Sequence, residues 1–115
     1  MDVLVLEDDE RRVRWLRRMM PKARIVWTTS VSKLLLAASH ERVWDLVLLD
    51  HDLGRAYTGT HAAKALRVIA PIVVWSLNAE GAERMVKLLE LHEQNVLGWM
   101  PFGSTELLAV VRGFR

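Results

Sequence analysis

Five short, mostly apolar runs recur along the chain: VLVL at 3–6, RIVW at 24–27, LVLL at 46–49, IVVW at 72–75 and VLGW at 96–99. No other feature constrains the fold so tightly. Each run is too short for a helix and lacks the in–out alternation of a half-exposed strand, so it suits a strand buried on both faces. The segments between them carry apolar residues at helical spacing. Helices are predicted over Arg11–Met20, with Val13, Leu16 and Met20 on one face and Pro21 as the stop, and over Val31–Ser39, with Thr29 or Ser30 as the cap. Others are predicted over Thr60–Ile69 before Pro71, from the cap Asn78 to about Gln94, and from the cap Ser104 through Phe114. Strands alternating with helices form a parallel sheet with helices on both faces, so the expected class is α/β, doubly wound, with five strands.

Composition narrows the function classes. A chain of 115 residues, 51% of them hydrophobic, is one domain's worth and can bury a core, so residues 1–115 read as a single domain. Cysteine is absent, which excludes disulfides and thiolate metal sites. No leader-like N-terminus and no long apolar run appear, so no membrane span is expected and the cytoplasm is the default compartment. A net charge of +2 is too mild to argue for nucleic acid. Arg11, Arg12, Arg14, Arg17 and Arg18 do crowd one segment, either as a solvated helix face or as a phosphate-attracting patch.

In sheets of this kind ligands bind beyond the carboxyl ends of the strands. The residues found there are Glu7, Asp8 and Asp9 after the first strand, Asp50, His51 and Asp52 after the third, and Ser76 and Asn78 after the fourth. Acids crowded at one edge repel one another. A like-charge pair at ~4 Å costs about 4 kcal/mol at an effective dielectric near ~20. Either a carboxyl is protonated or a cation sits among them. Asp9 reads first as the cap of the first helix. Glu7, Asp8, Asp50 and Asp52 are the candidate metal ligands, and oxygen donors without cysteine suit magnesium, manganese or calcium. His51 titrates near neutral pH and is a candidate general acid, or else a solvent-facing turn residue. Ser76, Asn78 and the amides leading to Gly81 form a candidate phosphate seat at a helix N-terminus. His40, His61 and His92 read as surface or helix-packing residues, and the five tryptophans as core or near-core.

The stretches VLVLEDD, DLVLLD, VVWS and the proline after the fifth strand resemble the receiver domain of bacterial response regulators over essentially the whole chain. That resemblance implies a flavodoxin-like sheet in the order 2-1-3-4-5. It also implies magnesium on Glu7, Asp8 and Asp50, a phosphate-accepting Asp50, and Ser76 on the phosphoryl oxygens. Receivers carry a lysine just before the proline, where this chain has Met100, so ordinary phosphotransfer signalling is not expected. Arg55 is a candidate replacement for that charge, or a plain loop arginine. A narrower resemblance rests on LDHDLG together with Ser76, Asn78, Gly81 and Met85 in SLNAEGAERM. These are similar to the receiver offshoot named for cyclic-phosphate processing, which carries a histidine where this chain has Trp75. It implies Asp50 and His51 as catalytic residues, Mg2+ or Mn2+ as the cofactor, and a phosphate-containing small molecule or RNA end as the ligand. A receiver without catalysis, binding a protein partner, is the alternative. Oligomeric state is not legible.

Overall fold

The computed structural model describes residues 1–40, 43–54 and 58–114. The elements alternate without exception: β1 (Asp2–Leu6), α1 (Glu10–Met19), β2 (Arg24–Thr28), α2 (Val31–His40), β3 (Leu46–Leu49), α3 (Gly59–Ala65), β4 (Ile72–Val74), α4 (Ala79–Leu91), β5 (Val96–Trp99) and α5 (Thr105–Gly113). The strands form one sheet in the order β2-β1-β3-β4-β5, and every neighbouring pair is parallel. This is the flavodoxin-like α/β sheet expected from the alternation. No described helix is long and apolar enough to cross a membrane.

Burial explains why the central runs are uniformly apolar. Successive strand side chains point to opposite faces. Leu4, Leu6, Val47, Leu49, Ile72 and Val74 meet Leu34, Ala62, Met85 and Leu89 from α2, α3 and α4. Val3, Val5, Leu46, Leu48, Val73 and Trp75 meet Val13, Leu16, Leu107 and Val111 from α1 and α5. A run such as LVLL therefore has no solvent face on which a polar residue would be tolerated. Each fully buried leucine or valine contributes roughly 1.5–3 kcal/mol relative to exposure.

Two helices end earlier than their periodicity predicts. α3 stops at Ala65 rather than Ile69, because Leu66 turns extended with φ −67° and ψ 130°. Beyond it, Ile69 forms a parallel bridge with Val43, and the Val68 amide donates to the Gln94 side chain at 2.9 Å. Pro71 also disfavours a helical Ala70. The segment is thus drawn into an extended lead-in to β4. α4 stops at Leu91 rather than near Gln94, since Glu93 adopts a left-handed φ of 59°.

Candidate functional site

The parallel register sets the first acids side by side. Leu6 pairs with Leu49, and the Asp50 amide then donates to the Leu6 carbonyl at 3.0 Å. Glu7 and Asp50, the next residues on the two strands, are both buried. Asp8 stands beside them, exposed, and ligand oxygens of Glu7, Asp8 and Asp50 all lie within 4.8 Å of one another. Ser76 arrives from β4 and is fully buried, and its side chain favours the charged form of Asp50. Glu7 Oε2 accepts the amides of Asp8 at 3.0 Å and Asp9 at 3.1 Å. Even so, burial and then the Asp50 charge push the Glu7 carboxyl up to about 8. Burial also raises Asp50, against the opposing pull of Arg12. Burial thus favours the protonated form across this pair. Asp9 is the N-cap of α1, accepting the Arg11 amide at 2.9 Å, and is held low first by the Arg11 side chain.

Arg12 enters the acid pocket, which the sequence did not reveal. Its Nη1 donates to Glu7 Oε1 at 3.1 Å and lies 3.8 Å from Asp50 Oδ1. Its guanidinium rests over the Phe102 ring, 5.4 Å from the centroid. The signal was positional: Arg12 sits in the first turn of α1, beside the cap, one residue ahead of the buried Val13. Met100 packs, like Phe102, against the apolar cluster of the α1 and α5 face. Arg55 lies outside the described residues.

The LDHDLG and SxNxxGxxxM residues interlock around His51. The ring is buried, and its Nδ1 lies 2.7 Å from Asp52 Oδ1. A carboxylate needs a donor, so Nδ1 faces Asp52 as an N–H, with Asn78 Nδ2 a further 3.4 Å contact to the same nitrogen. Asp52 is held low chiefly by that hydrogen bond. Asn78 Nδ2 also donates to Asp52 Oδ1 at 3.3 Å, while Asn78 Oδ1 caps α4 by accepting the Gly81 amide at 3.0 Å. A Cβ at Gly81 would collide with the His51 ring. One at Gly59 would collide with the Asp50 carbonyl and lie 2.8 Å from the Met85 thioether. So Asp52, expected among the metal ligands, is not part of the carboxylate cluster; it orients His51. Asn78 and Gly81, expected to seat phosphate, hold the same histidine, and the Gly81 amide is already bonded. His51 does not face solvent.

Two tryptophans brace the edge. The Trp27 indole donates to the Glu7 carbonyl and the Trp99 indole to the Ser76 carbonyl, each at 2.7 Å. They reach inward from the sheet's two outer strands, β2 and β5. Trp75 is fully buried and meets Phe102 edge-on at 6.1 Å, and its indole N–H has no partner among the described residues.

Residues 3–91 match the model of the cyclic-phosphate processing receiver domain. The chain belongs to this family. Solved receivers share the fold. An N-terminal response-regulator domain from Carboxydothermus hydrogenoformans is 16% identical with a TM-score of 0.70, over 98% of this chain and 90% of that one. A CheY-like receiver from Methylobacillus flagellatus is also 16% identical with a TM-score of 0.68, over 96% and 98%. The Mn2+-bound response regulator Rcp1 is 14% identical with a TM-score of 0.64, over 97% and 89%. At such identities the likeness extends to the fold alone. No curated protein matches the chain. For this receiver domain the acid triad sits at the strand ends, and it offers oxygen donors that can hold a divalent cation.

Proposed function

We propose that this receiver domain binds Mg2+ or Mn2+ through Glu7, Asp8 and Asp50 and hydrolyses a 2′,3′-cyclic phosphate on a nucleotide or RNA end. The observation that carries the first half is the buried Glu7–Asp50 pair, whose carboxyls are both raised by burial. A divalent ion removes the cost of ionising them, and three carboxylate oxygens with open directions suit a metal that keeps waters. A Mn2+-bound form of the response regulator Rcp1, of like fold, supports a divalent ion on such a scaffold. When bound, the metal supplies Lewis-acid stabilisation of phosphoryl charge and an acidified water.

The chain's own residues supply the rest. Ser76 offers its hydroxyl to a phosphoryl oxygen. His51, fixed through Nδ1 by Asp52, presents Nε2 to the leaving oxygen. In hydrolysis the P–O bond to water forms and the ring P–O bond breaks; the departing alkoxide takes its proton from Nε2 of doubly protonated His51, and the proton shed by the attacking water passes to solvent and restores the ring. Asp52 and Asn78 position that ring. The unit works as one domain over 1–115, in the cytoplasm, with no membrane partner.

A second reading is favoured by Met100 and Trp75, which stand where receivers carry lysine and this family carries histidine. In it the domain keeps the metal but performs no chemistry and serves a protein partner. Magnesium calorimetry followed by hydrolysis assays on 2′,3′-cyclic nucleotides separates the two. Metal binding without turnover of any cyclic phosphate selects the module.

A further inference from the structure

We propose that Arg12 is the phosphoryl-binding cation of this pocket, delivered from α1 and oriented by Phe102. The inference rests on the metal reading above and deepens it.

A phosphoryl group arriving at Asp50 adds negative charge to a site that already holds Glu7, Asp8 and Asp50. A divalent ion balances part of that charge and leaves the remainder to the protein. Among the described residues, the only cation in ion-pair contact with Glu7 or Asp50 is Arg12. Its side chain is 16% exposed, so it is largely shielded from bulk water without being sealed off. The grip on the acids is partial. Nη1 makes one hydrogen bond to Glu7 and stands off Asp50 at 3.8 Å, and Nε and Nη2 make no hydrogen bond among the described residues. A guanidinium with donors to spare is suited to the two-oxygen edge of a phosphoryl group.

The loop after β5 holds that fork in place. The Met100 amide donates to the Val74 carbonyl at 2.8 Å and the Phe102 amide to the Trp75 carbonyl at 3.1 Å, so the loop is tied to the end of β4. Phe102 is in turn wedged edge-on between Trp15, at 5.2 Å, and Trp75. Its ring therefore offers Arg12 a fixed face, and the cation–π contact sets the guanidinium's orientation without consuming a donor. Met100 carries no charge, and the ion pairs to the acids come from Arg12. Once a divalent ion takes over Glu7 and Asp50, their hold on Nη1 weakens and the fork is free to turn to the anion. The competing possibility is a static counterion that only neutralises Glu7.

The test uses beryllium fluoride with magnesium as the phosphoryl probe, followed by fluorine NMR and by tryptophan fluorescence. Parent, Arg12→Ala, Arg12→Gln, Phe102→Leu and the double variant Arg12→Ala with Met100→Lys are compared, each first titrated with magnesium alone. Loss of a charge-assisted contact predicts a fall of about 10- to 100-fold in probe affinity for Arg12→Ala and Arg12→Gln. Magnesium affinity in both is unchanged or tighter, because a competing cation has gone. Phe102→Leu falls between parent and Arg12→Ala, and Met100→Lys recovers part of the loss. Arg12→Gln keeps the side chain's length and guards against a failure of Arg12→Ala to fold. Parent-like probe affinity in the arginine variants, with magnesium binding intact, overturns this assignment alone. A parent that does not bind magnesium overturns the metal reading and this assignment with it.

Discussion

Gly81→Ala is the smallest change that tests the His51 arrangement. The added Cβ would collide with the His51 ring carbons and stand 2.6 Å from Nδ1, which is bonded to Asp52. Gly81 lies within the first turn of α4, where alanine would ordinarily favour the helix by about 1 kcal/mol. Overpacking a tight contact costs ~1–3 kcal/mol. The two effects oppose, so the net change in stability is about 0–2 kcal/mol of destabilisation. The functional effect is much larger. Either α4 backs away and loosens the Asn78 cap, or the ring leaves Asp52, and both displace Nε2. Removing a well-placed general acid costs typically ~10²–10⁴-fold. Three measurements on one variant separate the parts: urea unfolding, the His51 imidazole resonances, and cyclic-phosphate turnover. The expected result is a destabilisation of no more than about 2 kcal/mol, shifted His51 signals, unchanged magnesium affinity and turnover reduced at least ~100-fold. A Gly81→Ala protein that gains the full helical benefit while His51 keeps its signals refutes the packing argument.

His51→Ala should likewise cut turnover by ~10²–10⁴-fold, measured on a 2′,3′-cyclic nucleotide, while magnesium affinity read by calorimetry stays near that of the parent. The pH dependence of the cation-free protein follows from Glu7, whose carboxyl moves from 4.5 to about 8 on folding. A raised folded value contributes stability that is complete below pH 4.5 and lost as pH rises through about 8, and Asp50 acts in the same sense. Urea midpoints should therefore fall across that window, as the unfolding free energy drops by an amount on the order of a few kcal/mol, and saturating magnesium should flatten the decline. Asp52, held low, acts oppositely but only as pH falls below 3.8. Acetyl phosphate with magnesium should leave little stable label on Asp50 in mass spectra, because Arg12 holds the phosphoryl group only transiently and no lysine stands at Met100 to add a second fixed charge. Prompt stoichiometric labelling would restore the signalling role.

The strands were legible because burial on both faces admits only apolar residues, and VLVL, LVLL and IVV mark themselves. The acids and Ser76 were legible for a related reason: Glu7 and Asp50 directly follow their strands and Ser76 lies one residue further on, so parallel register brings all three to one edge. What stayed hidden depends on contacts distant in sequence. Nothing local to RRVR says which of its arginines reaches Glu7, since the Phe102 ring that orients Arg12 comes from the far end of the chain. Asn78 and Gly81 had the spacing of a helix N-terminal anion site, but the ring that covers Gly81 belongs to His51. Trp27 and Trp99 looked like core residues because their apolar bodies dominate the pattern. Their indole N–H groups bind carbonyls on neighbouring strands. Helix α3 looked longer because VIA fits a helical face, whereas the bridge from Ile69 to Val43 draws it into extended chain.

The central claim is that burial forces Glu7 and Asp50 together at a cost that a divalent cation removes. Thermal unfolding of parent and Asp50→Asn at pH 7.5, with and without magnesium, tests it most directly. The parent should gain about 2.7 kcal/mol at a magnesium concentration near ~100 times its dissociation constant. Asp50→Asn should melt higher than the parent without metal, because the repulsion is gone, and should show no magnesium response. An Asp50→Asn protein that is stabilised by magnesium as the parent is, or that melts lower in its absence, contradicts the account.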